Sequence, residues 1–208
     1  PLHNALVFLD YDRDGQLDKG EPFTYTNDDG TFSLRGKKGY SFTVKTDENT
    51  IDTSTGEVLS DVVLTAPSGS SVISPTTTMM EATGLTAAEV GAVLGLPEGV
   101  DPTQFSAFDE NADPDIALAV AKVAQQVMIT VWAISSAVEG SGAGSEDAFL
   151  LAVASVADVV REKGEEIREN PDAEVLLDFT DTSEIENITD KAADRVQGSG
   201  IGYSETFK

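Results

Sequence analysis

The chain has no cysteine, which excludes disulfides, thiolate metal sites and cysteine nucleophiles. It has a single histidine, His3, close to the first residue of the sequence. A Ser-His-Asp device would have to be built on that one imidazole, and its place just before the first apolar segment suits a half-exposed flanking residue better. Neither a GxGxxG nor a GxxxxGK phosphate loop occurs. Basic residues are scarce, 13 against 37 acidic ones, for a formal net charge of -24. That balance excludes a broad basic surface for nucleic acid or anionic lipid and makes cations the natural partners. Uninterrupted apolar runs of about 18 residues, the length needed to span a bilayer, are also lacking, so membrane insertion is not expected. The opening "PLHNALVF" has no basic n-region or cleavage site, and the chain reads as a piece of a longer protein.

What is present is a 208-residue sequence, 40% hydrophobic, enough to build a core. Residues 1–66 alternate β-branched and aromatic segments, "ALVFL", "PFTYT", "TFSLR", "YSFTVKT" and "EVLSDVVLTA", with turn signals. In "YSFTV" the period of two puts Tyr40, Phe42 and Val44 on one face and Ser41 and Thr43 on the other. Residues 67–85, which include "PSGSSVISPTTTMM", read as a linker that docks Met79 and Met80 into a helical core. Residues 86–197 carry helical patterning: a Thr86/Glu89 capping box, then Asp113 and Pro114 opening a helix to about Val138. Its stripe of Ile116, Val120, Val123, Val127, Val131 and Ile134 matches Phe149, Val153, Val156 and Val160 on a helix that starts at Ser145. Trp132, next to Val131, is expected in the core. "AEVLLDF" reads as a strand or a helix end, "TSEIENITDKAADRV" as a polar helix, and residues 198–208 as a flexible tail. The fold class is α+β: a small antiparallel β-sandwich followed by an α-helical subdomain with an antiparallel helix pair.

The residues that carry chemistry are in "DYDRDGQLDKGE", residues 10–21. A twelve-residue calcium loop supplies oxygens from positions 1, 3, 5, 7, 9 and 12 and turns at a glycine in position 6. Those positions are Asp10, Asp12, Asp14, Gln16 through its carbonyl, Asp18 and Glu21, with Gly15 at the turn and an apolar Leu17 at position 8. So many carboxylates in twelve residues repel one another unless a cation lies among them, and this many flexible oxygens suit Ca2+ better than Mg2+. The flanking segments are strands and not the two helices a sensor needs to swing apart, so the loop reads as a structural clip. Three other acidic stretches, Asp109 to Asp115, Asp47 to Asp52 and Asn27 to Gly30, read as turns or caps.

A strand, "D-x-D-x-D-G-x-L-D-x-G-E-P", a second strand and "T-N-D-D-G-T-F-S-L" together resemble the calcium-binding β-sandwich modules of bacterial surface proteins, such as the B-type repeats of staphylococcal adhesins and Cna-B-like domains. "VISPTTTMMEATGLTAAEVGAVLGLP" and "FSAFDENADPDIALAVAKVAQQV" are similar to a helical segment found beside such modules in very large secreted Gram-negative adhesins that carry RTX-type repeats. The resemblance covers residues 4–160. It implies an extracellular, non-enzymatic, monomeric module on the bacterial surface, stiffened by calcium, flanked by further domains and serving attachment or biofilm formation. The six loop residues named above would be its ligands. A peptide or glycan bound by the helical part or by the cleft beside it is the alternative, and exposed aromatics at Tyr11, Tyr25 or Trp132 would favour it.

Overall fold

The computed structural model describes residues 1–173 and 175–199. Seven short strands come first: β1 (Leu2–His3), β2 (Leu6–Asp10), β3 (Phe23–Tyr25), β4 (Ser41–Lys45), β5 (Ile51–Asp52), β6 (Glu57–Val58) and β7 (Val63–Ala66). They form two antiparallel sheets, one in the order β1-β5-β6 and one in the order β3-β2-β4-β7. In the larger sheet β2 is central, pairing Phe8 with Phe23 on one side and with Thr43 on the other. Both faces of β4 are covered, so its alternation does not separate core from solvent. Phe42 meets the ring of Phe32 on one face, at 6.1 Å between centroids, while Ser41, Thr43 and Lys45 share the other, where Ser41 and Lys45 reach partners on the helices.

Two strand expectations change. "TFSLR" has no ladder partner and is irregular, although Phe32 and Leu34 still pack on the core. "EVLSDVVLTA" is broken into β6 and β7, which belong to different sheets, and Asp61 between them has a left-handed φ of 61°.

Five helices complete the described chain: α1 (Pro75–Thr83), α2 (Ala87–Leu94), α3 (Pro114–Gly140), α4 (Ser145–Glu169) and α5 (Thr182–Ser199). The first lies within the span read as a linker. Ser74 and Thr77 cap it reciprocally, Pro75 opens it, and Met79 and Met80 are buried as expected. Its threonines complete the edge of β7. Thr65 N–H donates to Thr78 Oγ1 at 3.0 Å, and the hydroxyl of Thr77 donates to Thr65 O at 2.9 Å. An edge that would otherwise leave buried backbone groups unpaired is thereby satisfied.

The other expected caps are present: Thr86 with Glu89 for α2, and Asp113 accepting from Asp115 N and Ile116 N for α3. The long helices α3 and α4 bury Val120, Val123, Val127, Val131, Ile134 and Val138 with Phe149, Val153, Val156 and Val160. One contiguous cluster runs from Val7, Val44 and Val63 in the sheet through Met79 to Val156 and Ile188 in the helices. Trp132 is not in the core: it is 41% exposed, on the same outer face of α3 as Ile129 and Leu118 and about 100° round the helix from Val131. By length and composition α3 is also long and apolar enough to cross a membrane. A search for uncharged runs passes over it because Lys122 interrupts the sequence. Residues 175–178 are neither strand nor helix, and Leu177 is buried there with its N–H donating to Val93 O at 2.8 Å. Gly198 and Ser199 belong to α5, while the rest of the expected tail lies outside the described residues.

This packing has two measurable outcomes. Phe149→Ala, which empties a site 2% exposed, lowers stability in urea melts by about 3–5 kcal/mol. Glu89 on α2 is paired with Arg168 on α4, and hydrogen bonding from Arg168 holds its carboxyl down at about 2, from 4.5. A depressed carboxylate contributes above its unfolded value and is lost as the pH falls through its folded one. The stability gap between the parent and Glu89→Gln, read by thermal melts, therefore closes as the pH is lowered from 4.5 towards about 2.

Candidate metal centre

Residues 11–22 connect two paired strands, so the acidic loop is the tip of a β-hairpin whose legs cannot swing apart without breaking the ladder. Leu9 N–H donates to Pro22 O at 3.1 Å and closes the base of the loop. Nearby, Gly36 leaves no room for a Cβ: Pro22 Cγ would be 2.8 Å from it, and Leu9 Cδ1 lies there too.

The first and last ligand positions are the buried ones. Asp10 is 3% exposed and Glu21 is 8% exposed, each fixed at the end of the hairpin. Asp10 Oδ1 accepts from Arg13 N at 2.6 Å, and its Oδ2 accepts from Gly15 N at 2.9 Å and from Thr43 Oγ1 at 3.1 Å. Glu21 Oε1 accepts from Tyr11 N at 2.6 Å and its Oε2 from Asp18 N at 2.8 Å. Arg13 at φ 65° and Gly15 at φ 75° supply the left-handed turns that aim these amides inward. An ionised carboxylate has about four lone-pair directions. Asp10 Oδ2, which accepts twice, is filled, while Asp10 Oδ1 and both Glu21 oxygens accept once each and keep capacity for a cation.

Asp12, Asp14 and Asp18 are exposed and complete the ring. Carboxylate oxygens of Asp10, Asp12 and Glu21 lie within 4.8 Å of one another, and so do those of Asp12, Asp14 and Asp18. Two oxygens that share a Ca2+ at about 2.3–2.6 Å lie at most about 5 Å apart, so each group has the spacing to hold a hard cation among hard oxygens, and Asp12 belongs to both. Gln16 N–H donates to Asp14 Oδ1 at 2.7 Å, and the Gln16 side chain turns outward to Glu146 at 2.9 Å. What Gln16 can offer an ion is its main-chain carbonyl. Leu17 is half-buried. The neighbouring charges of Asp14 and then Asp12, with smaller contributions from partial desolvation, Glu21 and Asp10, raise the Asp18 carboxyl above its usual range.

The other acidic stretches form turns. Asp47 accepts from Asn49 N, Asp109 from Asn111 N and Asp29 from Thr31 N, each within three residues of chain. Among the described residues, only the loop of residues 10–21 gathers three or more carboxylates at ligating distance. His3 Nδ1 lies 3.0 Å from Asp28 Oδ1 at the far end of the sheet. Three residues were beyond reach of the loop motif: Thr43, which supports Asp10, and Lys45 and Glu146, which hold Gln16. Thr43 can be placed by strand alternation once the register Phe8↔Thr43 is known. Nothing in the sequence marks Glu146.

Asp18→Asn has opposite effects in the two ionic conditions. Without the ion, Asp18 opposes folding while it is ionised, so the variant melts higher than the parent in chelator. In excess of a divalent cation that this cluster can hold, it melts lower. Comparison with protein family models, with curated proteins and with solved structures finds no match for this chain.

Proposed function

We propose that this chain is a calcium-stabilised, non-enzymatic module of a secreted bacterial surface adhesin, in which the loop of residues 10–21 acts as a rigid clip. The observation that supports it is the convergence of Asp10, Asp12, Asp14, Asp18 and Glu21 at the tip of a hairpin whose strands are tied into a sheet. A site of that kind stiffens the module and cannot open a groove as a helical sensor does. Its two innermost carboxylates are already oriented by backbone amides, so these two ligands need no reorientation when an ion binds. Residence outside the cell, where calcium is abundant, and a place within a longer adhesin rest on the resemblance of the loop and its flanks to surface-protein modules.

A second reading, capture of a peptide or glycan, is favoured by the exposure of Tyr25 at 49% and Trp132 at 41%. Hits on a glycan or peptide array that vanish in Trp132→Ala or Tyr25→Ala support it, and an array without hits counts against it.

The clip predicts a large effect of metal removal. With calcium at about 100 times its dissociation constant, binding adds about 2.7 kcal/mol. For a chain of this length, excess EDTA therefore lowers the melting temperature by roughly 5–10 °C. A melting curve that does not move on chelation contradicts the proposal.

A further inference from the structure

We propose that calcium binding at the hairpin tip is coupled to the docking of α4 on the sheet, with Gln16 as the coupling residue. This rests on the calcium reading above and adds what the ion controls. Gln16 occupies the loop position that offers an ion its main-chain carbonyl, and its side chain bridges two other elements. Gln16 Nε2 donates to Glu146 Oε1 at 2.9 Å, in the first turn of α4. Lys45 Nζ, on β4, donates to Gln16 Oε1 at 2.9 Å and to Glu146 Oε1 at 2.7 Å. Loop, sheet and helix thus meet in a closed triangle of three side chains. The Lys45 ammonium and the Glu146 carboxylate are largely shielded from solvent, at 18% and 35% exposure. Burial alone would raise the Glu146 carboxyl, but hydrogen bonds from Lys45 and Gln16, with the charge of Lys45, hold it below its usual range.

A second link runs parallel to this one. Arg13, at the left-handed turn of the loop, lies 3.7 Å from Glu81 on α1, and Glu81 also accepts from Ser41 Oγ at 2.6 Å. Two loop positions therefore reach two different helices. With no ion the carboxylates of Asp12, Asp14 and Asp18 push one another apart, and the backbone at Gln16, which sits between Asp14 and Asp18, moves with them. Its side chain then cannot hold Glu146 in one place. An ion that pins this backbone also pins the triangle, and by reciprocity the docked helix favours the ion-bound loop.

Hydrogen exchange of the whole chain, in calcium and in EDTA, tests this on the parent and on Glu146→Ala. That variant cuts the triangle at its helix corner and leaves every residue of the loop unchanged. In the parent, calcium slows exchange across residues 11–21 and, by about fivefold or more, in the first two turns of α4. In Glu146→Ala the loop protection remains and α4 no longer responds to calcium. Loop protection in the parent without any change in α4, or a calcium response of α4 that survives in Glu146→Ala, overturns the coupling alone. A parent whose loop shows no calcium-dependent protection overturns the calcium reading and the coupling together.

Discussion

The mutual repulsion of Asp10, Asp12, Asp14, Asp18 and Glu21, clamped between two hydrogen-bonded strands, is the constraint around which this end of the molecule is organised. Strand pairing through Phe8 and Phe23 brings the two ends of the loop together, and the amides of Arg13, Gly15, Tyr11 and Asp18 then hold the two buried carboxylates in place. The protein uses part of its folding energy to assemble like charges. A divalent cation held among them would reverse the sign of that contribution.

The hairpin does not stand alone at the rim of a sandwich. Helices cover the face of the sheet that carries Ser41, Thr43 and Lys45, and each of these polar residues has a partner: Glu81, Asp10, and Gln16 with Glu146. Polar groups at a sheet–helix junction are costly unless paired, and here the pairing passes through the acidic loop. The apolar part of the same junction is the cluster that joins Val63 and Met79 to the helices. Small sheets of strands two to five residues long would bury little by themselves, and the helical layer supplies most of the core they share.

Much of this was legible from residue spacing. The caps at Thr86 and Asp113, the valine stripes of α3 and α4, and the strands that end at Asp10 and begin at Phe23 all come from local patterns, because each is decided by neighbours in sequence. The loop was the most legible feature, since the calcium-loop pattern specifies residue types and a turn glycine at fixed positions. Helix α1 was hidden because Thr76, Thr77 and Thr78 are poor helix formers that read as linker, and only the unpaired edge of β7 gives them a reason to be buried in a helix. Trp132 lies outside the core because its side chain is about 100° further round the helix than that of the buried Val131, a difference that adjacency in sequence does not reveal. The partners of Gln16 come from residues far away in sequence, and no local signal carries them.

The central claim is that these five carboxylates with Gln16 form one calcium site whose completing ligand is Glu21. Calcium titration calorimetry on metal-stripped chain, parent beside Glu21→Gln, tests it most directly. The account predicts saturable heat in the parent that is lost in the variant, and a parent that gives no saturable heat, or a variant that binds as tightly as the parent, contradicts it.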